Sequence, residues 1–137
     1  SRAEVIISDE AIDFPEVISG RNDILIAMGG AGVTKYLKDV KPGGIVVYDP
    51  DQIPSVTEGT DAKFYKIPAT AIAERLGRRI VANMVMVGAV AELTSILPLD
   101  AVKKSVSTSV KAGTEELNMK AVDAGIAEAK KLAGKAA

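Results

Sequence analysis

Two helix-like segments, each with an asparagine and a glycine at interior positions, constrain this chain most. Asparagine competes for backbone hydrogen bonds, and glycine in a helix interior costs about 1 kcal/mol relative to alanine. Both costs are offset where glycine lets helices pack closely and where a buried amide finds hydrogen-bond partners. We therefore expect the amides to bond helix ends or a neighbouring chain. The residues predicted to be structural or to lie at a subunit interface are Asn83, Gly88, Asn118 and Gly125.

The first of these segments, residues 80–97, is the longest apolar run of the sequence. Asn83, Glu92 and Thr94 make it too short and too polar for a comfortable membrane span, so it is predicted to be a buried helix. Because this helix is apolar nearly all round, it must be covered all round. Neighbouring helices of this chain or another subunit could cover the second face, and the sequence leaves both open.

The absence of cysteine and histidine limits the chemistry of the chain. It removes thiolate ligands for zinc and iron–sulfur clusters and all nucleophile–histidine pairs, so a self-contained active site is not expected. With 17 basic and 18 acidic residues, the chain has no net positive charge to attract nucleic acid, so nucleic-acid binding is not expected. With 47% hydrophobic and 26% charged residues, the sequence is typical of one folded domain, 1–137, which we expect in the cytoplasm.

Strand-like and helix-like segments alternate in the first half of the sequence. Apolar and β-branched runs predict strands at Glu4–Ser8, Asp23–Met28 and Ile45–Asp49, with a helix over Ala31–Val40. Strand, helix, Pro-Gly turn and strand make a βαβ unit, which implies parallel strands. A further strand is predicted at Lys63–Ile67.

The second half is helical by its apolar spacing. Helices are predicted over 69–76, 80–96 and 99–110, followed by a last helix with Thr114 as its N-cap. A small alanine- and lysine-rich tail is predicted to be the fraying end of that helix. The predicted fold class is therefore α/β, a three-layer domain with a mixed, partly parallel sheet and a helical C-terminal half.

Two motifs follow predicted strands, where ligands often bind. The turn Gly29–Gly32 precedes a helix as phosphate loops do, but Lys35 stands where a dinucleotide motif needs glycine. The turn is therefore either a phosphate site or a flexible strand-to-helix connection. Asp49 and Asp51 could hold a metal or a ribose, or they could simply form a turn.

Two pairs of basic residues are also candidates. Arg78 and Arg79 could bind an acidic group of a partner, or they could lie solvated at a helix junction. Lys103 and Lys104 are predicted to face solvent on the polar side of their helix.

Several segments, in order and spacing, resemble the gamma subunit of the 2-oxoacid:ferredoxin oxidoreductases, which act on pyruvate, 2-oxoglutarate, branched-chain 2-oxoacids or indolepyruvate. Together they span nearly all 137 residues. They are Ser1-Arg2-Ala3-Glu4-Val5, the strand Asp23–Met28, Tyr36-Leu37, Lys41-Pro42-Gly43-Gly44, the strand into Asp49, Asn83–Gly88, Leu97-Pro98-Leu99 and Asn118–Gly125.

The resemblance implies a noncatalytic part of a complex that oxidatively decarboxylates a 2-oxoacid with coenzyme A to an acyl-CoA and reduces ferredoxin. It implies thiamine diphosphate and iron–sulfur clusters on partner subunits, and no catalytic, cofactor-binding or metal-binding residue in this chain. Members of the family have a glycine-rich segment ahead of the stretch that matches Ser1–Val5, so the chain is expected to be N-terminally incomplete. The identity of the 2-oxoacid and the oligomeric state stay open.

Two other classes of protein remain as alternatives. One is a free-standing nucleotide-binding α/β domain that uses the turn Gly29–Gly32. The other is a homo-oligomeric binding module that associates through the apolar helix.

Overall fold

The computed structural model describes residues 1–56 and 61–132, and within them the chain forms three β-strands and five α-helices. The predicted end of the last helix, 133–137, lies outside the described residues. The strands are β1 Asn22–Ala27, β2 Val40–Tyr48 and β3 Lys63–Lys66, and the helices are α1 Gly30–Tyr36, α2 Ala69–Arg75, α3 Ala82–Thr94, α4 Leu99–Ser109 and α5 Glu115–Leu132. Short 3₁₀ turns, Leu37–Asp39 and Arg79–Val81, precede β2 and α3.

The sheet has the order β1-β2-β3, and both strand pairs are parallel. Between β1 and β2 the register pairs Leu25 with Val46, and between β2 and β3 it pairs Val46 with Phe64. The predicted βαβ unit is confirmed in β1, α1 and β2, and the α/β class is confirmed with it.

The predicted strand Glu4–Ser8 is wrong for this chain, because residues 1–21 run as irregular, mostly exposed backbone. A β-branched run becomes a strand only where a neighbour completes its backbone hydrogen bonds. All pairing seen in residues 1–56 and 61–132 is accordingly parallel, without the antiparallel part of the expected mixed sheet.

Helices cover both faces of the sheet, which gives the predicted three layers. Alternate side chains of β2 point to opposite faces, so Val46 and Tyr48 pack with Val33 of α1. Val47 packs on the other face, in a core built from α2, α3 and α5. Val46 and Val47 are fully buried, so β2 is the strand around which both cores form.

The helical C-terminal half is also confirmed. Helix α3 ends at Thr94, and the next residue, Ser95, adopts a left-handed conformation with φ 51°. A third small core lies between α4 and α5 and consists of Val102, Val106, Val122 and Ile126. In the described part of the chain, no helix is long and apolar enough to span a membrane.

Candidate functional site

The two predicted glycines meet where α3 crosses α5. A Cβ added to Gly88 would overlap the carbonyl oxygen of Val122 and lie 2.9 Å from its carbonyl carbon. A Cβ added to Gly125 would overlap the carbonyl oxygen of Val85 and lie 2.9 Å from the nitrogen of Ala89. Each glycine therefore packs directly against the backbone of the opposite helix. The close neighbour of each glycine is thus a helix of this chain.

Asn118 binds the start of its own helix. Its buried side chain donates from Nδ2 to the carbonyl oxygen of Thr114 at 2.8 Å and to the Oγ1 of Thr114 at 3.1 Å. Thr114 occupies the predicted N-cap position, because α5 begins at Glu115 and the carbonyl oxygen of Thr114 accepts from the backbone nitrogen of Asn118 at 3.0 Å. Its hydroxyl donates to the carbonyl oxygen of Lys111 at 2.6 Å. The carboxylate of Glu115 accepts from the backbone nitrogen of Gly113 at 2.7 Å.

Asn83 lies on the opposite side of its helix from the crossing. Its side chain is exposed, and its Oδ1 accepts from the backbone nitrogen of Met84 at 2.9 Å. Ile80, 78% exposed, and Val87, 39% exposed, lie three residues before it and four residues after it. On a helix these spacings place side chains on one face. We call Asn83 and Val87 of α3, together with Ile80 of the 3₁₀ turn that leads into it, the α3 outer face.

The other faces of α3 are covered by α2, α4 and α5. Met84 and Ala91, beside the outer face, pack towards the cluster that contains Val102 of α4. The helices of this chain thus cover the predicted apolar helix on all but one face. The remaining face is the α3 outer face.

Asp49 anchors the carboxyl end of the sheet to α2. The residue is fully buried, and its Oδ2 accepts from the backbone nitrogen of Thr70 at 2.8 Å and from its hydroxyl at 2.6 Å. Its Oδ1 accepts from the backbone nitrogen of Asp51 at 3.0 Å, while Asp51 itself is exposed. The two carboxylates therefore do not converge. Among the described residues, no group of three His, Cys, Asp or Glu is placed to hold a metal ion.

The turn Gly29–Gly32 leads from β1 into α1. Gly29 has extended backbone, with φ −150° and ψ 146°, and α1 runs for seven residues only. A Cβ on Gly30 would lie 3.7 Å from the carbonyl oxygen of Gln52, which is ordinary contact. Crowding within this chain therefore does not require the glycines, and the turn connects β1 to α1.

The two predicted pairs of basic residues, Arg78-Arg79 and Lys103-Lys104, differ in their ionic contacts. Arg79 lies exposed, with its Nη1 3.8 Å from Oε1 of Glu74. Lys103 is partly exposed, and a 2.8 Å ion pair between its Nζ and Oδ1 of Asp123 joins α4 to α5. The hydrogen bond from Lys103 to Asp123, together with the charge of that carboxylate, raises the pKa of Lys103. Lys104 is exposed, as predicted.

One cluster was missed from the sequence. The Arg2 guanidinium lies 4.8 Å, and the Lys35 ammonium 5.4 Å, from the centre of the Tyr36 ring. Desolvation would raise the pKa of the Tyr36 phenol, but hydrogen bonds and charge from these two cations outweigh it and lower the pKa. Only the adjacency of Lys35 and Tyr36 is visible in the sequence, since Arg2 approaches through the fold.

The parallel sheet, the helices on both of its faces and the glycine crossing of α3 and α5 define a three-layer α/β domain. Residues 1–128 match the family model described as pyruvate ferredoxin/flavodoxin oxidoreductase, so the chain belongs to that family. Within it, the chain is 44% identical over 131 residues to the 2-oxoglutarate synthase subunit KorC of Methanothermobacter thermautotrophicus, an alignment that covers 91% of this chain and 68% of that protein.

Solved structures agree with this assignment. The gamma subunit of keto/oxoacid ferredoxin oxidoreductase from Geobacter sulfurreducens matches with a TM-score of 0.76 and 31% identity, over 80% of this chain and 64% of that one. The 2-oxoglutarate:ferredoxin oxidoreductase of Magnetococcus marinus, solved with 2-oxoglutarate, coenzyme A and succinyl-CoA bound, matches with a TM-score of 0.72 and 26% identity, over 83% of this chain and 21% of that one. The chain therefore spans about two thirds of the gamma-type relatives and about a fifth of the larger chain.

Proposed function

We propose that this chain is a noncatalytic gamma-type subunit of a 2-oxoacid:ferredoxin oxidoreductase. In that reaction a 2-oxoacid and coenzyme A give an acyl-CoA and carbon dioxide, and two electrons pass to ferredoxin. The observation that carries the proposal is the family match over residues 1–128. The glycine crossing of α3 and α5 supports a packing role, because both glycines contact the opposite helix rather than a ligand.

We further propose that the substrate of the complex is 2-oxoglutarate. The support is the 44% identity to a 2-oxoglutarate synthase subunit and the likeness to a 2-oxoglutarate:ferredoxin oxidoreductase. A purified complex should reduce ferredoxin fastest with 2-oxoglutarate when it is compared with pyruvate, 2-oxoisovalerate and indolepyruvate. A complex that prefers any of the other three would overturn this assignment without touching the subunit role.

The cofactors of such an enzyme are assigned to the partner subunits. Iron–sulfur clusters are held by cysteine thiolates or, in some centres, by histidine, and the 137 residues contain neither residue. The residues of this chain therefore do not fit an iron–sulfur cluster. Ferredoxin and coenzyme A act at the level of the complex, which we place in the cytoplasm.

Co-purification tests the proposal. A tag on this chain, expressed together with the other subunits of the oxidoreductase from the same genome, should recover those subunits with iron and thiamine diphosphate. The tagged chain expressed alone should contain neither. Failure to recover any partner would refute the subunit role, and a defined homo-oligomer in sedimentation would then favour a binding module.

A further inference from the structure

We infer that the α3 outer face is the surface on which another subunit of the oxidoreductase docks, with apolar side chains over Ile80 and Val87 and carboxylates opposite Arg78 and Arg79. This inference rests on the proposed function, because the partner it names is a subunit of that complex. It adds a location and a chemistry for the contact.

The apolar character of the outer face is the first argument. Ile80, in the 3₁₀ turn that leads into α3, is 78% exposed, and Val87 on α3 is 39% exposed, whereas the other faces of α3 are covered by helices of this chain. Large apolar side chains grouped on one helical face mark interaction sites more often than apolar residues scattered singly. Asn83 lies between them with an exposed side chain, so a partner can hydrogen-bond to the centre of the face.

The charge at one end of the face is the second argument, and it selects the partner. Arg78 and Arg79 are exposed directly before Ile80, and the first turn of α3 contains no acidic residue. The 3.8 Å pair between Arg79 and Glu74 is solvated on both sides, so it neutralises the arginine weakly. The amino end of a helix also carries a partial positive charge. This end of the face therefore complements carboxylates.

The same charges argue against a second copy of this chain. The outer face consists of two aliphatic residues and an amide, with arginines at one end. Two copies packed through this face would bring no carboxylate of the face to the arginines. A different subunit with an acidic rim around an apolar patch satisfies both parts of the surface.

The test compares three single variants in the coexpressed complex. Val87→Glu places a charge in the middle of the apolar face, and Arg79→Glu reverses the charge at its end. Ala127→Glu is the matched control, because Ala127 is exposed on α5 about 200° around the helix from Gly125, on the side away from α3. Thermal unfolding of each isolated chain shows whether the variant still folds.

We expect Val87→Glu and Arg79→Glu to melt like the wild-type chain and to lower recovery of the partner subunits at least about tenfold, as substitutions at the centre of an interface do. Ala127→Glu should recover them fully. Full recovery with Val87→Glu would overturn the inference and leave the proposed function standing, whereas no recovery with the wild-type chain would refute the proposed function itself. A wild-type dimer that Val87→Glu converts to monomer would show that a second copy is the occupant, and would also overturn the inference.

Discussion

Replacing Gly88 by alanine should destabilise the chain, although alanine is the better helix former. The added methyl group would overlap the carbonyl oxygen of Val122 and lie 2.9 and 3.0 Å from its carbonyl carbon and Cα. These are backbone atoms, so only a shift of α5 away from α3 can relieve the overlap. Overpacking of this kind costs about 3 kcal/mol at the upper end of its usual range. The gain in helix propensity is about 1 kcal/mol.

The net loss is therefore about 2 kcal/mol, which corresponds to a melting temperature about 6 °C lower for a chain of this size. Thermal unfolding followed by circular dichroism measures it. Gly32→Ala is the matched control, since Gly32 lies within α1 and a Cβ there would meet nothing within 4 Å. The control should melt at or slightly above the wild-type temperature. If Gly88→Ala also melts at or above that temperature, the close approach of α3 and α5 is not the reason for the glycine.

Three further changes test other contacts. Asn118→Leu should lower the free energy of unfolding by about 1–3 kcal/mol in a urea titration, because the amide bonds at the start of α5 are lost; no change would show that they contribute nothing. Thr70→Val should lower it by about 1.5–3 kcal/mol, because the buried carboxylate of Asp49 loses a hydroxyl donor; an unaltered midpoint would contradict this. Lys103 has a raised pKa in the folded chain, so its pairing with Asp123 stabilises fully below the ordinary lysine pKa and is lost as pH rises through the folded value. Lys103→Met should therefore show a smaller fall in melting temperature at alkaline pH than the wild-type chain, and an identical fall would exclude the pair as its source.

The glycine crossing illustrates what local sequence can and cannot predict. Glycine inside an apolar helix indicates a close neighbour from propensity alone, and both glycines were singled out for this reason. Propensity does not predict which neighbour it is, because it contains no information about which helices pair. The structure shows that each glycine contacts the backbone of the other helix.

The two asparagines look alike in sequence and differ in the fold. Asn118 lies seven residues from Gly125, which places both on nearly the same face, about 20° apart. Asn83 lies five residues from Gly88, about 140° around the helix, so it points away from α5. Helical spacing alone thus contained the signal that separates a buried amide from an exposed one.

Strand prediction failed where the partner strand could not be known. Asp23–Met28 and Glu4–Ser8 are both apolar runs, but only the first lies beside another strand in the described residues. The sequence does not predict the ion pair between Lys103 and Asp123 for a related reason, because the pair depends on how two consecutive helices, α4 and α5, pack together. Long-range pairing is the part of this fold that composition and periodicity do not determine.

The reduction of ferredoxin by the assembled enzyme tests the central claim most directly. The other subunits of the oxidoreductase, coexpressed with this chain, should reduce ferredoxin in the presence of 2-oxoglutarate and coenzyme A, and the same subunits without it should assemble poorly and lose most of that activity. The chain alone should show no turnover. Full activity of the other subunits without this chain, or turnover by the chain alone, would contradict its role as a noncatalytic subunit required for assembly.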